Sequence, residues 1–243
     1  MHEPWLAGVD GCPAGWIAAF LRPRIDAVIV RVVPSFAHVV HAPERPAIIA
    51  VDVPIGLPER IGLGGRGPEA AVRPLLGARQ SSVFPVPSRA AIYAESFGAA
   101  CRIAAETSDP PRKVSKQLFM IARKIRELDA LLRNDPALAG KVYEVHPEVA
   151  FWRLNGERAL GEPKKIKGVP YAVGLALRRR LLADAGFPRT CVEAPPPKGA
   201  GPDDLLDALA CAAIARRIHE GIARPFPDPP GRDEFGLRVA IWA

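Results

Sequence analysis

Apolar runs separated by turn residues organise the first fifty positions. Leu6–Asp10 reads as a short strand, and "WIAAFLR" (Trp16–Arg22) and "AVIVRVV" (Ala27–Val33) follow, each bounded by Pro, Gly or charged turns. The short connections predict an antiparallel meander. "SFAHVVHA" reads as a brief helix. "AIIAVDVP" (Ala47–Pro54) is almost unbroken apolar sequence, the pattern of a strand buried on both faces beside a parallel neighbour. Two of these runs end on a carboxylate: Asp10, in "AGVDGCPAGW", and Asp52.

The region from Gly56 to Pro87 lacks periodicity and is rich in Gly, Pro, Arg and Ser, which predicts a long functional loop or lid. "SRAAIYAESFGAACRIAAE" predicts a helix opened by a Ser cap. Ser115–Arg133 places Leu118, Ile121, Ile125, Leu128 and Leu132 at helical spacing. "KVYEVHPEVAF" (Lys141–Phe151) returns to β-character and carries Glu144 at the end of a fifth strand. Val169–Gly186 reads as a helix stopped by Gly186. Asp203–Gly221 reads as another, opened by acids that suit the helix dipole. "LRVAIWA" reads as an edge strand, and the proline clusters at Glu193–Pro202 and Arg224–Gly236 as short connectors. The expected architecture is α/β: one domain over residues 1–243, a five-stranded mixed sheet flanked by helices. A loop and helices, about 56–138, are inserted between strands four and five.

Composition narrows this picture only a little. The 243 residues are 49% hydrophobic and 24% charged, enough apolar material for a core without staples. Net charge is +7, which is compatible with a polyanionic partner such as nucleic acid. The four cysteines are scattered and none forms a CxxC pair, which excludes zinc-ribbon spacing and points to a reducing compartment. The start, "MHEPW", has no signal-peptide pattern, and no segment has the length of a membrane helix. The expectation is a soluble, cytoplasmic protein without a membrane partner; oligomeric state is not legible.

The candidate chemistry is acidic. If the first and fourth strands lie side by side and parallel, Asp10 and Asp52 emerge at the same edge, where open α/β sheets place their sites. Two close carboxylates raise each other's pKa unless a cation neutralises them, and Mg²⁺ or Mn²⁺ prefers oxygen ligands. On the last helix Asp203 and Asp207 share a face, and Asp204 can turn toward the same mouth. Asp203 reads as a cap or first-turn acid, whereas Asp207 lies between apolar neighbours and needs a partner. Glu144 is a further carboxylate for a two-metal site; His146 reads as packed or hydrogen-bonded. Arg79, Ser81, Ser82 and Arg89 suit either phosphate contact or a rigid capped loop. Lys164, Lys165 and Lys167 suit either a polyanion backbone or a solvated face. Cys12, Trp16 and Trp152 read as packing.

Six blocks carry a family resemblance: "GVDGCPAGW", "AVDVPIGLP", "RQSSVFPVPSR", "YEVHPEVAF" followed by "KK", "DDLLDALACAAIA" and "AIWA". In this order, along nearly the whole chain, they resemble the family called domain of unknown function 429 (DUF429), whose members are described as predicted nucleases of RNase H-like fold. The resemblance implies a sheet with three antiparallel strands first and the fourth and fifth parallel to the first. It also implies two Mg²⁺ ions on Asp10, Asp52 and Asp207. RNase H-like enzymes often add a Glu from the first helix or fourth strand. No residue matches here, since Glu44 sits beside a proline-flanked turn; Glu144 stands in, and Asp204 is a further candidate ligand. The implied activity is metal-dependent phosphodiester hydrolysis of nucleic acid. The alternatives are a non-catalytic binding or regulatory module of the same fold, and a phosphotransferase of the actin and sugar-kinase type.

Overall fold

The computed structural model describes residues 3–25 and 27–243; Met1 and His2 of the "MHEPW" start lie outside them. Strands β1 (Leu6–Cys12), β2 (Gly15–Leu21) and β3 (Val28–Val33) form the meander. The short helix α1 (Phe36–Val40) leads to β4 (Ile48–Val51). With β5 (Val142–Glu144) these make a five-stranded sheet in the order β3-β2-β1-β4-β5. The first three strands run antiparallel, and β4 runs parallel to both β1 and β5. The sheet expected from the apolar runs is the one observed.

The insertion between β4 and β5 contains α2 (Pro68–Val72), a 3₁₀ segment (Arg73–Ser82), α3 (Arg89–Ile92), α4 (Phe97–Glu106), α5 (Lys116–Asn134) and α6 (Pro136–Lys141). Two expectations change here. The Gly56–Pro87 stretch holds two helical pieces, short enough to leave no periodic trace. The single helix read from Ser88 is two, because Ser88 and Ser96 each accept a backbone N–H and cap separate starts.

Beyond β5 come α7 (Pro147–Leu154), the small hairpin β6 (Lys165–Ile166) and β7 (Val169–Pro170), α8 (Ala172–Asp184), α9 (Arg189–Val192) and α10 (Pro202–His219). The β-reading of Lys141–Phe151 is therefore corrected after Glu144: Pro147 opens a helix, where its missing N–H goes unneeded. The last run is a strand, but not an edge of the main sheet. β9 (Arg238–Trp242) pairs with β8 (Pro225–Arg232), the stretch expected to be a connector. Prolines are tolerated there because a two-stranded ribbon leaves the outward-facing N–H groups of each strand unpaired. Arg238 fastens this hairpin to the insertion, donating to the carbonyls of Ala139, Gly140 and Val142.

Strand alternation sorts the core into two halves. Ala7 and Val9 of β1, with Val51 of β4, face Trp16, Phe36, Leu118 and Ile125 on the insertion side. Leu6 and Cys12, with Ala50, face Ala208, Leu209 and Ala212 of α10. Gly8 belongs to the second face. A Cβ there would stand 2.0 Å from the Ala212 nitrogen and 2.2 Å from the Ala208 carbonyl oxygen. Strand and helix thus pack backbone against backbone, which only glycine permits.

Candidate functional site

That contact fixes where the carboxylates go. Residues two apart on a strand share a face, so Asp10 follows Gly8 toward α10. Pairing of β1 with β4 ends at Val9 and Val51, while pairing of β1 with β2 continues to Cys12. Asp10 is therefore not the last residue of its strand, but stands where two neighbours part company. The Asp52 N–H donates to the Val9 carbonyl at 3.0 Å, which holds Asp52 beside Asp10 on the same face. Asp207 comes from α10, one position before Ala208 of the Gly8 contact. Asp10, Asp52 and Asp207 meet as expected.

The cluster is electrostatically uncomfortable. Burial, and then the charges of Asp52 and Asp207, push the Asp10 carboxyl well above its usual range. Asp52, half-buried at the rim, is lifted to about 8 by desolvation and by Asp207 and Glu144, against the pull of Lys164. Burial raises Asp207 to about 6 while Lys164 draws it down. The Lys164 Nζ donates to Asp207 Oδ2. Burial opposes the Lys164 charge, but Asp207, Asp10 and Asp52 outweigh it and hold the ammonium above its ordinary value. Asp207 is 1% exposed, and its Oδ1 is buried without a hydrogen-bond partner among the described residues.

Glu144 requires a correction. β5 aligns Val51 with Glu144, so Glu144 shares the insertion-side face and not that of Asp10 and Asp52. Its Oε1 accepts from Arg66 at 2.5 Å and its Oε2 from the Ile55 N–H at 2.8 Å. Arg66 also pairs with Glu69 at 2.8 Å. Burial lifts Glu144 to about 7 against the pull of Arg66. The carboxylate is built into a buried ion network and is not free to complete a ligand set. Asp204 is likewise engaged: its Oδ2 accepts from the Gly201 N–H at 2.7 Å and caps α10. Asp203 pairs with Lys165 at 2.6 Å.

The other sequence candidates divide. A cavity of about 280 Å³ opens at this sheet edge. Asp10, Asp52, Glu144, Lys164 and Ser82 line it, and Phe84, Val86, Leu118 and Ile121 form an apolar wall. Ser81 is exposed, and neither it nor Arg79 reaches the cavity. Arg89 does not line it either: it pairs with Asp129 at 3.0 Å, with Asp233 at 2.6 Å and with Glu234. Those three carboxylates make Arg89 a structural hub in place of the phosphate contact it suited by sequence. Lys165 is committed to Asp203, and Lys167 is an exposed residue of the hairpin turn with φ 50°. Trp16 and Trp152 are core, packed edge-on against Phe36 and Phe226.

His146 is hydrogen-bonded as read from the sequence, whereas Glu148 and Lys124 escaped that reading as residues of the cavity. His146 lines it; burial lowers the imidazole to about 4, and Nε2 donates to the Ser82 carbonyl at 3.3 Å. Glu148 also lines it and pairs with the fully buried Arg178 at 2.5 Å. Lys124, from α5, reaches the Gly15 carbonyl at 2.6 Å. An arginine alone in "GGRG" was the one available hint of Arg66. The partnerships of Arg66 and Arg178 span 78 and 30 positions and leave no local pattern.

The donor set suits a hard divalent cation. Asp10 and Asp52 offer carboxylate oxygens to one cavity, and Asp207 stands buried behind them, its Oδ1 without a partner among the described residues. As the side chains stand, no group of three or more His, Cys, Asp or Glu among the described residues is arranged to hold a metal ion. The cation present among the carboxylates is Lys164.

Residues 8–232 match the family model described as "Protein of unknown function (DUF429)". The chain belongs to the DUF429 family. Its blocks around Asp10, Asp52, Glu144 and Asp207 all fall within the matched DUF429 region. No curated protein matches this DUF429 chain, and no solved structure does. No described helix is long and apolar enough to cross a membrane.

Proposed function

We propose that this DUF429 chain is a divalent-cation-dependent phosphodiesterase of RNase H-like fold that acts on nucleic acid. The observation that carries the reading is Asp207 Oδ1, a buried carboxylate oxygen without a partner among the described residues, set beside Asp10 and Asp52. The ammonium at the cluster, Lys164, is bonded to Asp207, so the carboxylates of Asp10 and Asp52 beside it call for a further cation. Support also comes from the strand order β3-β2-β1-β4-β5, with carboxylates on β1, just past β4 and on the C-terminal helix. Net charge of +7 suits a polyanionic substrate.

Asp10, Asp52 and Asp207 would hold Mg²⁺ or Mn²⁺. When bound, such a cation polarises the phosphoryl oxygen and lowers the pKa of an attacking water. Asp10 keeps its orientation through the Gly11 N–H, which donates to its Oδ1 at 2.6 Å. Lys164 brings positive charge to the mouth, where charge on phosphate oxygens develops. The wall of Phe84, Val86, Leu118 and Ile121 offers an apolar surface to a base beside the scissile bond.

Labelled single- and double-stranded DNA and RNA, incubated with the protein and Mn²⁺ or Mg²⁺, should be cut, and chelator should abolish cutting. Binding without cleavage of any substrate would instead identify a non-catalytic nucleic-acid module.

A further inference from the structure

We propose that the Lys164 ammonium is a fixed substitute for one of two cations, so that this site takes up a single divalent ion. The inference rests on the cation-binding reading above and specifies its stoichiometry.

Charge pairing leads to it. Glu144 and Glu69 share Arg66, Glu148 has Arg178, and Asp203 has Lys165. Asp204 is spent on the Gly201 N–H. Asp10, Asp52 and Asp207 remain, and the cation that faces them is Lys164. Once a cation displaces their protons, the three carboxylates against the one ammonium leave two negative charges, the complement of one divalent ion. A second divalent ion would need further unpaired negative charge, and that of Glu144, Glu148 and Asp203 is already matched by Arg66, Arg178 and Lys165.

Lys164 is held in place by its surroundings. The Tyr171 N–H donates to the Lys164 carbonyl at 2.9 Å. Arg178, fully buried, donates to the Glu162 carbonyl at 3.0 Å just before it. At Gly174 a Cβ would stand 1.8 Å from the Pro163 carbonyl oxygen, so α8 presses directly on the segment that delivers the lysine. With its backbone fixed on three sides, the side chain meets Asp207 at little further entropic loss. An ammonium so placed is a charge that cannot be chelated away.

Equilibrium dialysis of the full chain against Mn²⁺ tests this, with bound metal counted per chain. Wild type is expected to bind one Mn²⁺ and Asp10→Asn none. Lys164→Gln is expected to admit a second Mn²⁺, while Lys164→Arg, which keeps the charge, stays at one. Two Mn²⁺ on the wild type would overturn the role of Lys164 and leave cation binding intact, as would a single Mn²⁺ on Lys164→Gln. No Mn²⁺ on the wild type would overturn this inference and the cation-dependent reading together. Stoichiometry of the wild type decides the matter even if Lys164→Gln does not fold.

Discussion

Asp10→Asn is expected to abolish cation-dependent cleavage and, in chelator at pH 8, to raise the melting temperature. The loss of activity should be at least about a hundredfold, because removing mere outer-shell partners of a metal already costs 10–100-fold. The gain in stability follows from the crowding. Burial and the charges of Asp52 and Asp207 hold the Asp10 carboxyl above its ordinary 3.8 in the folded chain. Above about pH 4 the unfolded chain therefore gives up a proton that the folded one keeps, and stability falls as pH rises toward the folded value. The same holds for Asp52 between 3.8 and about 8. Asparagine removes the penalty and still offers an oxygen to the Gly11 N–H. Thermal unfolding of wild type and variant across pH 4–8 in chelator checks this. The curves should coincide at the acid end and separate toward pH 8. A variant that melts lower at pH 8 would show that the ionised carboxylate stabilises the fold, contrary to this account.

Gly8→Val is expected to prevent folding. Overpacking a core with side-chain atoms costs about 1–3 kcal/mol, because side chains can rotate away. At Gly8 the obstructing atoms are the Ala212 nitrogen and the Ala208 carbonyl, both backbone and both in the interior of α10. Relief would require the helix to leave the sheet, exposing the apolar face it shares with Leu6, Cys12 and Ala50. Domain stability is about 5–15 kcal/mol in total, which such a separation would exceed. Gly140→Ala is the matched control, since nothing lies within 4 Å of a Cβ there and the residue is in α6. It should be neutral or stabilise by up to about 1 kcal/mol. Circular dichroism and urea titration distinguish the two. A soluble Gly8→Val protein with a normal unfolding midpoint would refute the backbone-contact argument.

The legible parts of this molecule were those written locally. Strands β1 and β4 are apolar runs broken by an aspartate, and a buried carboxylate at the end of such a run is conspicuous. Asp207 was legible for the same reason, as an acid among Leu and Ala. Glu144 was misread because its face depends on register. Shifting β5 by one residue against β4 would turn it toward Asp10, and nothing in "KVYEVHPEVAF" states that register. The pairing of Arg66 with Glu144 depends on how a long insertion folds back, which no local pattern encodes. Arg89 and Lys165 carried the right charge for phosphate, but their nearest anions are Asp129, Asp233 and Asp203 in their own chain.

The C-terminal hairpin has a consequence for how the molecule opens. Arg238 grips three carbonyls at the junction of α6 and β5. At the hairpin turn Asp233 receives Arg89 and the Leu57 N–H at 3.2 Å. The residues that begin and end the insertion are thus both moored to one ribbon. Fluctuations that lift the roof of the cavity must also tear the ribbon from its moorings. Roof and ribbon are therefore expected to exchange their amide hydrogens as one cooperative unit, which hydrogen-exchange protection would read directly.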